Sequence, residues 1–272
     1  MGISDNIIER IARLPGVRRL WIRYPIGSVP VRVRHDIWRR PAYAYGVYRA
    51  ADLARRLGVS RLSVVELGVA GGRGLLALQD IARQVAAHFH VHISVFGFDT
   101  GKGMPAPADY RDLPHVWSQG YYRMDRERLQ ARLPGTTLVL GNIAETIPSF
   151  LATQDAGPVG FAAFDLDFYS STKAAFRLFE GGSGTRLPRV YSYFDDVVWP
   201  ETACHNEHIG ELCAIREFNL EHAEKKLCPI HMLRNTRLHP AGWNDQMYVL
   251  HDFQHPLYCK HLASLGDTQM AL

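Results

Sequence analysis

The sequence predicts an α/β protein: a seven-stranded, mostly parallel sheet with helices on both faces, preceded by a helical N-terminal extension. Three observations predict it. From about residue 59 onward, short apolar runs alternate with helix-length segments, the β-then-α succession that builds a parallel sheet covered on both faces. A glycine-rich turn, Gly68-Val69-Ala70-Gly71-Gly72-Arg73-Gly74, separates the first run from the first following helix. Polar residues or glycine stand at the ends of successive runs, at Glu66, Asp99, Gly141-Asn142, Asp165 and Asp195-Asp196. On this reading residues 1–58 are a basic helical extension and residues 59–272 one domain.

Each element follows from local pattern. Ile3, Ile7, Ile8, Ile11 and Leu14 recur on one face, predicting an amphipathic helix over 3–14. An Arg-, Pro- and Trp-rich stretch without a clear period runs to about residue 41. Residues 45–57 read as a helix that Gly58 terminates. Leu62–Leu67 (LSVVEL) is the first buried strand, and the helix after the glycine turn extends to about residue 87. Val91–Phe98 is the second strand. Residues 99–121 carry Gly, Pro and aromatics and read as a structured loop, with Tyr110, Trp117, Tyr121 and Tyr122 as lid and specificity elements. Then come a helix over 123–132, strand Thr137–Leu140, helix 143–152, strand Val159–Phe164, helix 170–180 and strand Arg189–Phe194. A long helix over 207–226 and strands Pro229–Leu233 and Asn244–His251 complete the chain.

Charge narrows the partners. The 31 Lys+Arg and 27 Asp+Glu give a net charge of +4, unevenly placed. Twelve Arg against Asp5, Glu9, Asp36 and Asp52 leave +8 in residues 1–60 and therefore −4 in the remainder. A nucleic-acid binder needs a basic face on the folded domain, so nucleic acid is not an expected partner. No apolar run approaches the ~20 residues of a membrane helix, and MGISDNIIER lacks the apolar core of a secretory signal, so a cytoplasmic protein without a membrane partner is expected. Cys204, Cys213, Cys228 and Cys259 are widely spaced, as reduced thiols would be, and several are expected to be buried. The basic segment reads as a solvated or homo-oligomer-forming surface. In the alternative, Arg32, Arg34, Arg39 and Arg40 close over an acidic substrate.

In open parallel sheets ligands bind beyond the carboxyl ends of the strands, at the topological switch point. The glycine loop lies there, yet it lacks the GxGxxG spacing that seats a dinucleotide pyrophosphate on a helix N-terminus. Glu66, just before it, disfavours an anion and suits a cationic amine or sulfonium, as in S-adenosylmethionine. Asp99 can accept hydrogen bonds from ribose hydroxyls, or simply cap a loop. Asp165-Leu166-Asp167 and Asp195-Asp196 place four carboxylates on neighbouring strand ends. A hard cation such as Mg²⁺ would relieve their repulsion and could acidify a substrate hydroxyl, whereas capping and surface ion pairs are the plain alternative. His88, His90 and His92 alternate as if on one strand face, and His205-Asn206-Glu207-His208 lacks a second ligand pair for zinc. There is neither a GxSxG elbow nor a Walker loop.

Five blocks in order, VVELGVAGGRG (64–74), FGFDTGKGMP (96–105), LGNIAETIP (140–148), FDLDFYSST (164–172) and YFDDVV (193–198), resemble the class I S-adenosylmethionine-dependent methyltransferases. More narrowly they resemble the macrocin O-methyltransferase group of metal-dependent sugar O-methyltransferases. The resemblance spans about Val64 to Trp199. It implies cofactor contacts at Glu66, Gly68 and Asp99, joined by Val69, Gly71, Thr100, Asn142 and Asp165. It also implies metal ligands Asp165, Asp195 and Asp196, with Asp165 as general base. The expected partner is a small hydroxylated acceptor. The chain departs from the group where Leu166 stands for Gly and Ser170 for Glu, and in a longer 180–188 loop. A nicotinamide-dependent oxidoreductase and a non-catalytic cofactor-binding protein remain as rival readings.

Overall fold

The apolar runs of the sequence become the inner strands of one sheet. In the computed structural model, which describes Asp5 and residues 17–152 and 156–262, seven strands form: β1 (Arg61–Leu67), β2 (His92–Asp99), β3 (Thr136–Leu140), β4 (Val159–Phe164), β5 (Arg186–Phe194), β6 (Lys225–Pro229) and β7 (Met247–Asp252). Their spatial order is β3-β2-β1-β4-β5-β7-β6, with β7 antiparallel to both neighbours and the rest parallel. Sequence order reverses direction between β1 and β4, so the switch point lies between their carboxyl ends. Every residue of β4 (VGFAAF) is buried, as a central strand covered on both faces requires. The helix expected over 3–14 falls, apart from Asp5, outside the described residues. Among the described residues no helix is long and apolar enough to cross a membrane.

Two hydrophobic layers sandwich the sheet. One contains Val64, Leu75, Phe161 and Tyr193, the other Val65, Phe98, Phe164, Phe194 and Phe218. The first layer is completed by the helix Pro41–Leu57, whose buried face runs from Ala42 and Tyr43 through Val47 and Ala51 to Leu57. The last helix of the basic extension thus contributes its buried face to the core. Pro41 opens this helix, where a missing N–H costs nothing, so the helix starts four residues before the expected boundary.

Several boundaries shift for identifiable reasons. Pro188 interrupts the β5 pattern, but a register irregularity opposite Val159–Phe161 absorbs it and the strand begins at Arg186. Arg186 is held there by a buried ion pair with Asp252. The strand expected at 229–233 lies instead at Lys225–Pro229, an edge strand in which only Leu227 is buried. The long helix shortens to Gly210–Glu221. His88 belongs to a helix, His90 is its left-handed cap and His92 opens β2, so the three share no strand face. All four thiols are free and only Cys213 is buried.

Candidate active site

A cavity of about 870 Å³ opens at the carboxyl ends of β1–β5. Gly68, Asp99, Thr100, Asn142, Asp165, Asp195 and Asp196 all line it, so these seven residues singled out from sequence meet around one space. Glu66, Val69 and Gly71 do not. The 100–125 connection contributes Lys102, Met104, Trp117, Tyr122 and the edge of the next helix, and Trp199 reaches in from beyond β5.

The glycine loop is shaped by two close approaches. Gly68 has φ +87°, and a Cβ there would sit 1.8 Å from the Asp165 carbonyl oxygen, so this turn passes directly against the end of β4. Gly74 lies over the Glu66 side chain, where a Cβ would come within 1.8 Å of Oε1. Gly71 has open space on its Cβ side and no positive φ, so nothing in the fold demands glycine there.

Glu66 differs from the sequence reading. It is 1% exposed, beneath the loop rather than in the cavity, and accepts a hydrogen bond from the Tyr43 hydroxyl at 2.8 Å. Its second oxygen is buried without a partner. Burial pushes its carboxyl up to about 8, against the Tyr43 hydrogen bond and Arg40, which lower it. Glu66 therefore lies beneath the loop, held by Tyr43, and not on the lining of the cavity. Asp99 also does more than expected. Its Oδ2 accepts from Val69 N and Ala70 N, both at 2.9 Å, and its Oδ1 from Gly101 N at 2.6 Å. An ionised carboxylate offers about four acceptor positions. Asp99 thus pins the glycine loop to β2 while retaining about one position toward the cavity.

Across the switch point lies a cluster of acids. Asp167 and Asp196 are at most 8% exposed, Glu211 is fully buried, and Asp165 and Asp195 are half-buried. Asp196 Oδ2 accepts from Asp167 N at 3.0 Å, and Glu211 accepts from Asp196 N at 3.2 Å. Burial first, then the Asp195 and Asp167 charges, push Asp165 up to about 8. Burial pushes Asp167 to about 6. Asp196 and Glu211 are raised well above the carboxylate range, again by burial first and then by their acidic neighbours. Arg40, in the residue before helix Pro41–Leu57, opposes this: its guanidinium is 3.9 Å from Asp195 Oδ1, which also accepts from the Tyr193 hydroxyl.

This donor chemistry, several carboxylates with too little positive charge, fits a hard divalent cation. Among the described residues, however, no three potential ligands converge as a ready coordination shell. The predicted set Asp165, Asp195 and Asp196 is brought to one wall without being assembled, because Asp196 is turned onto Asp167 N and Asp195 onto Tyr193.

The loop over the cavity is anchored by Asp112, fully buried, which accepts from Ala108 N, Ser170 N and the Ser170 hydroxyl at 2.7–2.8 Å. Ser170, a departure from the resembled pattern, is thus part of this clasp. Of the arginines considered for substrate, none lines the cavity. Arg32 stacks on Trp38 at 4.2 Å, and Arg40 serves the acids. Tyr43 and Tyr193 were missed, and Arg40 was read only as a substrate clamp, because no motif signals a helix crossing the sheet toward β4 and β5.

No protein-family model matches the chain, and no curated protein sequence matches it at a significant level. Solved structures do. The calicheamicin methyltransferase CalS11 is 21% identical over 91% of this chain and 90% of its own, with a TM-score of 0.50. The O-methyltransferase NovP is 14% identical over 78% and 79%, also with a TM-score of 0.50. The sheet order and these likenesses together place the chain in the Rossmann-like fold that such methyltransferases share.

Proposed function

We propose that this protein is an S-adenosylmethionine-dependent methyltransferase that methylates a hydroxyl of a sugar-like or polyol small molecule, assisted by a divalent cation such as Mg²⁺. The observation that carries this reading is the division of the cavity by the switch point. The ends of β1–β3 present Gly68, Asp99, Thr100 and Asn142 for a nucleoside-bearing cofactor. The ends of β4 and β5 present Asp165, Asp195 and Asp196 for an acceptor. The volume suits a ligand of that size with an acceptor beside it. The shared fold with a calicheamicin methyltransferase and an O-methyltransferase supports the assignment.

The cofactor supplies an electrophilic methyl group on sulfur. The chain's own task is to hold a hydroxyl in line with it, which is where orientation contributes most. Asp165 lines the cavity and would take the hydroxyl proton in its ionised form; burial and Asp195 oppose that form, and a cation held beside it would favour it. Asp165, Asp195 and Asp196 would hold a cation that lowers the acceptor hydroxyl's pKa and seats two neighbouring oxygens. Trp117, Tyr122 and Trp199 line the cavity and would pack against the acceptor's C–H surface.

The test is transfer from methyl-labelled S-adenosylmethionine to a panel of sugars and polyols, with and without EDTA, for the parent and Asp195→Ala. Labelled product that EDTA suppresses, and that the variant loses while binding cofactor within about threefold of the parent, is the expected result. Absence of S-adenosylmethionine binding, or preferential binding of NAD(H), overturns the assignment. Full turnover by Asp195→Ala in EDTA removes the cation from it.

A further inference from the structure

A second cavity, of about 430 Å³, lies away from the first and shares no residue with it. Its floor is the face of β5 and β7 where Arg189 pairs with His251 and Tyr191 with Val249. Arg49 and Tyr45 come from helix Pro41–Leu57, and His231 from the turn after β6. Two guanidinium and two imidazole side chains therefore surround one space, and no carboxylate lines it.

Among the described residues neither arginine pairs with a carboxylate, whereas Asp52, the acid one turn beyond Arg49, is engaged by Arg55 and Arg56. Arg189 donates Nη2 to the Tyr258 carbonyl at 3.1 Å and lies 4.2 Å from the centre of the Tyr258 ring, which fixes its plane. Its Nη1 is buried with no partner. The charge of Arg189 is thus left uncompensated beside the cavity, which favours an anion there. The Arg49 guanidinium rests 5.3 Å from the centre of the Tyr45 ring, and Tyr45 meets Tyr191 edge-on at 6.4 Å, giving an apolar wall beside the cationic one.

We propose that this cavity binds a small organic phosphate carrying one planar ring. Two guanidinium charges and the donors of two imidazoles exceed what one carboxylate can neutralise, but match the three oxygens and double charge of a phosphoryl group. The volume holds that group and one ring against Tyr45 and Tyr191. Arg49 is not among the arginines read from sequence as closing over a substrate, and acquires a role here. The inference stands independently of the methyl-transfer reading.

Calorimetric titration of the full-length protein with phenyl phosphate, inorganic phosphate and benzoate tests it. Phenyl phosphate should bind with a dissociation constant below about 1 mM, and the other two at least about tenfold more weakly. Arg189→Gln and Arg49→Gln should each weaken phenyl phosphate at least about fivefold, while Arg132→Gln, an exposed control, should not. Arg49 is exposed on its helix, so its variant folds even if Arg189→Gln does not. Failure of phenyl phosphate to bind, equal binding by benzoate, or binding indifferent to Arg49→Gln each overturns the proposal.

Discussion

The buried Glu66 separates two accounts of the glycine loop, and Glu66→Gln tells them apart. Glutamine keeps an acceptor for the Tyr43 hydroxyl but cannot ionise. In the parent the carboxyl titrates near 8 when folded and at its ordinary value, 4.5, when unfolded. Between those values the folded state keeps a proton that the unfolded state has released, so this group makes stability fall as pH rises through the window. At about 1.4 kcal/mol per pH unit, moving from pH 5 to pH 7.5 costs the parent about 3 kcal/mol at this one site. Asp196 and Glu211, raised in the same direction, affect parent and variant alike and cancel in the difference. The new amide nitrogen, placed where Oε2 has no partner, adds a penalty of about 1–3 kcal/mol that does not depend on pH. Urea denaturation of both proteins at pH 5 and 7.5 should therefore show the stability gap moving by about 3 kcal/mol in the variant's favour. Because the side chain lies outside the cavity, cofactor affinity should stay within about threefold. A gap that does not change with pH, together with a tenfold or greater loss of affinity, would refute the reasoning: Glu66 would then be an ionised partner of the ligand.

Two further perturbations probe the frame of the site. Gly68→Ala must both adopt φ +87° and displace the Asp165 carbonyl, so it should cost about 3 kcal/mol or more, seen as a melting temperature lower by roughly 6 °C or more. Asp112→Ala leaves Ser170 N and Ala108 N without their acceptor, and should speed tryptic cleavage at Lys102, Arg111 or Arg123 while the far-ultraviolet dichroism changes little.

What the sequence made legible follows from physics that acts locally. β4 and β1 were readable because a strand covered on both faces must be continuously apolar, and VGFAAF and LSVVEL are nearly so. The acids at Asp165, Asp195 and Asp196 were readable because a parallel sheet sends every strand end to one side, so a polar residue following each run meets the others. β6 was misplaced because an edge strand needs only one buried residue, and Lys225 and Lys226 leave no apolar run to find. Tyr43, and the role of Arg40 beside the acids, were invisible for another reason. Their meeting with Asp195 and Glu66 is produced by the path of a helix across strands far away in sequence, and neither period nor spacing encodes that path. The depth of Glu66 was equally hidden, since it depends on how closely Gly74 returns over it.

The position of helix Pro41–Leu57 has a consequence for how the chain is made. This helix is synthesised before any strand, yet its buried face rests on β1, β4 and β5, the last of which ends at Phe194. β1 likewise waits for Val159–Phe164 before its second edge is covered. During translation this helix can meet β1 and the next helix, Arg73–Phe89, early, but the apolar surface that rests on β4 and β5 waits until well over half the polypeptide has emerged. Such a topology folds slowly and late, and its early intermediates are natural clients for chaperones.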